Sequence, residues 1–385
     1  MIKNRETIRT IFVVLVFILL FSAKYVFFIK DHSLENSEGD DKDFIIYGDK
    51  IARGELTTED KNVVYSHIHK PLMIFIPMVL AKIGLIRHYL LLTFIFDMLL
   101  FAIVFIALNE MAKNTIIALG GSILASWNSL LGYYSFQYLP DLPLAASLIA
   151  FTYFLGKILE SGGKDYTLLA GVFSALAVLF RIDSIIVILP VAAFYILKGR
   201  NRRSLVLAML ISLSIIAVYF TTYLLILENF HFDRESINSV LKGFKVSEEG
   251  TLEKGLTESK GDVFFIPYML FLSFTPPSCL FAVVGIWQTY RKKGIFNAYL
   301  VVTSMLFIER FIIAYIGRGA QKYLTAFMPY LAVFAALGVL HATEAIAKRL
   351  KLEKTDTSKL TAILIMSAII SSYFWIHEPL PGVRV

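Results

Sequence analysis

Long apolar runs alternate with short polar connections along nearly all of the 385-residue chain. A helix of about 20 apolar residues crosses the roughly 30 Å hydrocarbon core of a bilayer. Lipid offers the backbone no hydrogen-bond partners, so each such run must be helical. The pattern predicts an all-α polytopic membrane protein. The predicted spans are residues 10–29, 89–108, 115–134, 142–160, 166–181, 184–197, 204–228, 263–288, 295–316, 323–345 and 360–376.

Residues 71–86 form a shorter apolar run, which is more typical of an interfacial helix than of a span. If this run crossed the membrane, the basic clusters at 198–203, 291–293 and 348–351 would all face outward. Cytoplasmic loops carry the excess of Lys and Arg. We therefore predict eleven spans, a cytoplasmic N-terminus, and a juxtamembrane helix at 71–86 on the outer face.

Composition supports a single membrane domain covering residues 1–385. The chain is 57% hydrophobic, whereas soluble proteins are typically about 45–50% apolar. Its net charge of +7 belongs mainly to the predicted inner loops and does not indicate a nucleic-acid partner. The lone Cys279 excludes an internal disulfide framework. Two large outer loops are predicted, at residues 30–88 and 229–262.

The first outer loop carries most of the candidate chemistry. Asp43 opens the apolar stretch Phe44–Tyr47, which should hold its carboxylate at the boundary between water and lipid. A partly desolvated carboxylate there can accept a proton from an attacking hydroxyl. A solvated acidic loop is the plainer interpretation for Asp40, Asp41 and Glu59.

Lys70 and Asp141 each begin a predicted helix, and each has two readings. Lys70 precedes Pro71 and can bind either a substrate phosphate or anionic lipid headgroups. Asp141 can cap the helix that it begins, because the free amides and the helix dipole favour a carboxylate. Capping does not exclude a catalytic role. Arg181 and Asp183 are expected to pair locally.

Several further charged residues occupy unusual positions. Arg310, Arg318 and Lys322 are cations on the predicted outer side, against the charge bias of the chain, which favours a phosphate partner. His67 and His69 stand two apart, a weak pattern for a metal site, and no metal ligands are assigned. A divalent cation remains an open alternative. Asp97 falls inside a span and must face other helices, without an assigned role.

Three stretches together resemble the GT-C superfamily of integral membrane glycosyltransferases. Asp43-Phe-Ile-Ile-Tyr47 with Ala52-Arg-Gly54 is similar to its first-loop pattern. His69-Lys-Pro-Leu72 through Gly84 resembles its juxtamembrane helix. Tyr138-Leu-Pro-Asp141-Leu-Pro143 resembles its second acidic motif. The likeness is greatest to the branch that takes sugars from polyprenyl phosphates, such as protein mannosyltransferases and aminoarabinose transferases.

The resemblance implies a GT-C fold and an inverting transfer of a hexose or pentose from a polyprenyl-phosphate donor. It implies a hydroxyl acceptor on a lipid, glycan or protein at the outer membrane face. By motif match, Asp43 is the general base, Asp141 supports the site and Lys70 contacts the lipid phosphate. The other expected substrate-binding residues are Tyr47, His69, Arg181, Arg318 and Lys322.

Two other classes of protein compete with this interpretation. A transporter or flippase of lipid-linked sugars typically shows internal repeats and broken helices near mid-membrane. The chain has no evident repeat, and its candidate polar residues gather at one face. A non-catalytic scaffold in envelope assembly would need no pair of carboxylates at that face.

Overall fold

The computed structural model describes most of the chain. Arg318, Lys322 and nearly all of the loop at 229–262 lie outside the described residues. The described residues are 2–26, 40–57, 60, 63–64, 67, 69–128, 130–131, 137–161, 163–199, 201–226, 258–259, 270, 273–315, 319–320 and 324–374.

The described chain is almost entirely helical. Short 3₁₀ turns at Ile86–His88 and Ile182–Ser184 interrupt it, and Glu258–Ser259 (β1) pairs antiparallel with Gly319–Ala320 (β2). The helices are α1 (Ile2–Lys24), α2 (Asp40–Arg53), α3 (Pro71–Lys82), α4 (Leu90–Ala112), α5 (Thr115–Ser126), α6 (Asp141–Ser161), α7 (Lys164–Phe180), α8 (Ile185–Leu197), α9 (Arg202–Ile226), α10 (Pro276–Thr289), α11 (Ile295–Tyr315), α12 (Met328–Leu350) and α13 (Lys354–Phe374).

Long apolar helices confirm the predicted multi-pass membrane architecture. Within the described residues, five segments are long and apolar enough to cross a bilayer. The number of spans, eleven, and the orientation of the chain stay predictions. The five segments are Ile86–Ala112, Asp141–Ser161, Arg202–Tyr223, Ile295–Ile312 and Met328–Leu350.

The centre of the bundle is formed by α6 and α12, whose residues are buried over most of their length. A hydrogen bond of 2.7 Å joins the hydroxyls of Thr152 and Tyr330 between these two helices. Against α12, α10 crosses at very close range. A Cβ added at Gly285 or at Gly338 would lie under 2 Å from a backbone carbonyl oxygen of the facing helix. Small residues at a membrane-helix crossing allow such an approach because association depends on close packing.

The apolar run predicted as a juxtamembrane helix at 71–86 forms α3, which has 12 residues and ends at Lys82, while its place at the membrane stays a prediction. At 1.5 Å per residue it is about 18 Å long, well short of a bilayer core. It packs against α2, where a Cβ on Gly48 would stand 2.6 Å from the Pro77 side chain. The hydroxyl of Tyr219 donates to the Pro71 carbonyl oxygen at 2.8 Å. These contacts fix α2 and α3 at one end of the bundle, called here the Asp43 end.

Candidate active site

Asp43 lies on α2, so this part of the predicted loop is helical. Phe44 and Ile45 are buried and anchor the helix, while the Asp43 side chain is 43% exposed. Tyr47 follows one turn later and therefore shares the face of Asp43. Its half-buried ring packs against the core, with the Lys50 ammonium 5.5 Å from its centroid. The helix thus presents a partly hydrated carboxylate above a buried aromatic anchor.

Phe44 organises the groups around this carboxylate. The His67 ring meets it edge to face with centroids 4.9 Å apart, and His67 Nε2 lies 3.6 Å from Asp43 Oδ2. The buried Lys70 ammonium stands 5.4 Å from the Phe44 ring centroid, within the range of a cation–π interaction. Phe44 therefore contacts the His67 imidazole and the Lys70 ammonium, and the imidazole in turn lies beside the Asp43 carboxylate.

His69 connects this group to the turn between α7 and α8. Its carbonyl oxygen accepts a hydrogen bond from the Ile182 amide at 3.1 Å. Burial, together with the positive charges of Lys70 and Arg181, lowers the pKa of His69 to about 4. The ring is therefore neutral at neutral pH, and the positive charge here resides on lysine and arginine.

Arg181 bonds two carboxylates, that of Asp141 at the start of α6 and that of Asp183 in the turn between α7 and α8. Its Nη1 donates to Asp141 Oδ1 at 2.9 Å, while its Nε and Nη2 donate to both oxygens of Asp183, at 3.2 and 2.5 Å. All three side chains are largely buried. The predicted Arg181–Asp183 pair is present. Asp141 joins it through the fork geometry that a guanidinium allows, so Arg181 is neutralised by protein carboxylates.

Glu309 and Arg310, near the end of α11, add a second charged pair. Both side chains are almost fully buried, with Arg310 Nε 2.8 Å from Glu309 Oε2. Burial alone would raise the pKa of the Asp183 carboxyl, but Arg181 and Arg310 hold this pKa below its usual range. Arg310 was among the predicted cations. Glu309 was missed, although a carboxylate inside an apolar run marks a candidate functional residue.

Asp97, left without a role by the sequence, pairs with Lys24 at the end of α1. Lys24 Nζ lies 2.5 Å from Asp97 Oδ2 and 2.8 Å from the Ser126 carbonyl oxygen. The ammonium also stands 5.0 Å from the Trp127 ring centroid. This pair joins α1, α4 and α5 and is fully buried.

Six of the eight predicted site residues gather at the Asp43 end of the bundle. Arg318 and Lys322 lie outside the described residues, so their placement stays a prediction. Among the described residues, no group of three or more His, Cys, Asp or Glu side chains is arranged to hold a metal ion. The six residues are Asp43, Tyr47, His69, Lys70, Asp141 and Arg181.

Comparisons with known proteins give a family match over part of the chain and a shared fold. Residues 70–226 match the family model described as dolichyl-phosphate-mannose-protein mannosyltransferase. In a search of curated proteins, no sequence matches. Among solved structures, ArnT from Cupriavidus metallidurans bound to undecaprenyl phosphate is similar, with a TM-score of 0.62 and 14% identity over 97% of this chain and 73% of that chain.

A second solved structure has the same architecture. The archaeal oligosaccharyltransferase AglB from Archaeoglobus fulgidus, in complex with an inhibitory peptide and a dolichol-phosphate, matches with a TM-score of 0.62 and 13% identity. The match covers 94% of this chain and 55% of that one. The chain therefore has the GT-C fold. The family match covers residues 70–226, which is less than half of the chain, and the likeness to the solved structures concerns the fold.

Proposed function

We propose that this protein transfers a hexose or pentose from a polyprenyl-phosphate donor to a hydroxyl acceptor. The observation that carries the proposal is the half-exposed Asp43 carboxylate, whose helix neighbour Phe44 has the buried Lys70 ammonium 5.4 Å from its ring centroid. A base open to an acceptor beside a cation suited to a phosphate is what this reaction requires.

In the proposed reaction, an acceptor hydroxyl oxygen attacks C1 of the sugar from the side opposite the phosphate. The new C1–O bond forms as the bond from C1 to the phosphate oxygen breaks, which inverts the anomeric centre. Asp43 takes the hydroxyl proton, and the electron pair of the broken bond leaves with the polyprenyl phosphate. His67, 3.6 Å from Asp43, orients the carboxylate.

Lys70 serves the leaving phosphate, because a fixed cation stabilises the negative charge that develops there. Arg181 is bonded to Asp141 and Asp183, so its role in the proposal is to hold Asp141 and the turn in place. A lipid donor fits this arrangement because its tail can lie against apolar helices while its head reaches Asp43. Two similar solved proteins were bound to undecaprenyl phosphate and to dolichol-phosphate.

The proposed site faces the outside of the cell membrane, since the basic clusters of the chain belong on the cytoplasmic side. Arg318 and Lys322 are proposed to add positive charge for the donor phosphate. The acceptor is a hydroxyl on a lipid, a glycan or a protein.

Replacing Asp43 with Asn tests the proposal directly. Asparagine keeps the shape of the side chain but cannot take the proton, and loss of a general base typically lowers the rate by about 10²-fold or more. Transfer of radiolabelled sugar from polyprenyl-phosphate donors is measured in membranes. We expect Asp43→Asn to lose transfer while its thermal unfolding stays close to that of the wild type.

Asp49→Asn is the matched control, because Asp49 lies on the same helix and only pairs with Arg53 at the surface. This variant should keep wild-type transfer. Activity of Asp43→Asn within about threefold of wild type would contradict the assignment, since a missing base costs far more than that.

A further inference from the structure

The ends of α8 and α11 place a second carboxylate beside the Arg181 turn. The two helices run antiparallel. Near the C-terminus of α8 and the N-terminus of α11, the Tyr195 hydroxyl donates a hydrogen bond to Asn297 Oδ1 at 2.8 Å. Asp183 precedes Tyr195 by twelve positions, and Glu309 follows Asn297 by twelve. Twelve residues cover the same length along each helix, counted from the Tyr195–Asn297 hydrogen bond. Glu309 therefore lies at the same height in the bundle as Asp183. Glu309 lies close enough to Asp183 and Arg181 for their charges to act on it.

The Glu309 carboxylate is buried and has no hydrogen bond within the described part of the chain. Its side chain is only 2% exposed, yet neither of its oxygens accepts a hydrogen bond from the residues that the structure describes. Arg310 Nε approaches to 2.8 Å but without the alignment of a hydrogen bond, because neighbouring positions on a helix point in different directions. Buried carboxylates nearly always find hydrogen-bond donors, so this one has unused capacity for a ligand.

The chemistry of that ligand follows from the charges around it. A phosphate is disfavoured because the three carboxylates of Asp141, Asp183 and Glu309 already outnumber the two guanidinium groups of Arg181 and Arg310. A neutral group with several hydroxyls fits better, since each hydroxyl can donate a hydrogen bond to the carboxylate without adding charge. Hydrogen bonds to a charged group are the stronger ones and depend on direction, which makes such a carboxylate able to distinguish one arrangement of hydroxyls from another.

We infer that Glu309 binds hydroxyl groups of the sugar carried by the donor lipid and thereby selects that sugar. This inference rests on the proposed function, because it assumes a donor with a sugar at the Asp43 end. Recognition of the donor is then divided between two side chains. Lys70 contacts the phosphate, which every donor shares, and Glu309 contacts the part in which donors differ.

The test measures recognition of the sugar separately from recognition of the phosphate. Undecaprenyl phosphate carrying glucose, mannose or galactose is offered to wild-type protein, and the best donor is used for kinetics. Free undecaprenyl phosphate is used as a competing inhibitor. In Glu309→Gln we expect the donor KM to rise by roughly tenfold, as for a loss of one charged hydrogen bond. The inhibition constant of free undecaprenyl phosphate should stay within about twofold, because Glu309 does not contact the phosphate.

Glu353→Gln, an exposed site just before α13, is the matched control and should leave both constants unchanged. Donors that each lack one sugar hydroxyl sharpen the test. For one of them, wild type and Glu309→Gln should have equal KM values, because the contacted hydroxyl is absent. Glu309→Gln also leaves the buried Arg310 without the Glu309 carboxylate, so its thermal unfolding is expected at a lower temperature than that of wild type. A rise in the sugar-donor KM with an unchanged inhibition constant for free undecaprenyl phosphate separates a binding role from a merely structural one.

Two results would overturn the inference. In the first, Glu309→Gln changes the donor KM and the inhibition constant of free undecaprenyl phosphate equally, or changes neither of them. Glu309 then does not recognise the sugar. In the second, wild-type protein neither transfers sugar nor binds undecaprenyl phosphate. The proposed function is then wrong, and so is the inference that rests on it. The first pattern leaves the transferase intact, so the two failures are distinguishable.

Discussion

Two groups of buried charges lie near the same end of the bundle and are built differently. In the first, Lys24 meets Asp97 at 2.5 Å and completes its contacts with the Ser126 carbonyl and the face of Trp127. One cation meets one anion, and both are sealed from solvent. The second group contains several carboxylates and cations, and one of its members, Asp43, reaches solvent.

The difference is the one expected between a structural ion pair and a candidate functional site. The Lys24–Asp97 pair balances its own charge and joins three helices, so its contribution is to hold α1 on the bundle. The group at Asp43 combines an accessible carboxylate, a buried ammonium at Lys70 and a Glu309 carboxylate that accepts no hydrogen bond from the described residues. An arrangement with such unused capacity is stabilised by a ligand that supplies the missing contacts.

Breaking the Lys24–Asp97 pair should produce the largest change in stability. Lys24→Met leaves the Asp97 carboxylate buried without its cation, which typically costs about 3–5 kcal/mol. Thermal unfolding in detergent should show this loss. The folded fraction should keep kcat and donor KM within about twofold of wild type, because the contacts of the pair with Ser126 and Trp127 involve no residue of the candidate site.

The double variant Lys24→Met/Asp97→Leu should recover most of the lost stability, since an apolar pair can replace a buried ion pair. Lys359→Met is the control, because its pair with Asp356 is exposed. It should change stability by about 1 kcal/mol or less. A double variant as unstable as the single one, or a folded protein without activity, would show that the pair does more than hold the helices.

Arg181→Lys should have a smaller effect on stability but should also impair transfer. Arginine bonds Asp141 and Asp183 at once, whereas a lysine ammonium is a point charge that cannot reproduce the fork. Losing one charged hydrogen bond costs about 1.5–3 kcal/mol. Unfolding and transfer assays on the same preparations measure both effects.

Arg53→Lys serves as the control for this change, because Arg53 pairs with Asp49 at the surface. Its stability should stay within about 0.5 kcal/mol of wild type. Should Arg181→Lys prove as stable and as active as wild type, the fork would not organise the turn or Asp141.

The sequence predicted the parts of this molecule that depend on local pattern. Apolar runs located the membrane helices, and Lys70 and Asp141 were recognisable because each precedes or begins a helix at a polar boundary. Asp43 was found by its motif, but the helix around it was not predicted. The Arg181–Asp183 pair was predictable because the two residues are only two positions apart. The short apolar run beginning at Pro71 was correctly expected to form a helix.

Contacts between distant segments were beyond such patterns. Lys24 and Asp97 are 73 positions apart, and Asp141 and Arg181 are 40 apart, so only the packed bundle brings them together. The close approach of Gly48 to Pro77 likewise depends on how α2 lies on α3. Glu309 was visible as a charge in an apolar run, but its significance depends on facing Asp183 across two helices.

The smallest predicted effect concerns His69, whose ring is kept neutral by burial and by the cations beside it. The pKa of His69 is about 4 in the folded protein against 6.5 for an ordinary histidine. The unfolded chain therefore binds this proton first as the pH falls, so stability is lost from about pH 6.5 down towards pH 4. Between pH 7 and 5.5, wild type should lose about 1 kcal/mol more than His69→Gln, which has no such group to protonate. Unfolding at the two pH values measures the difference, and His88→Gln, at an exposed histidine, should behave as wild type does. Equal acid sensitivity of wild type and His69→Gln would mean that the ring is hydrated, and that the site keeps its cations at Lys70 and Arg181 without excluding water from His69.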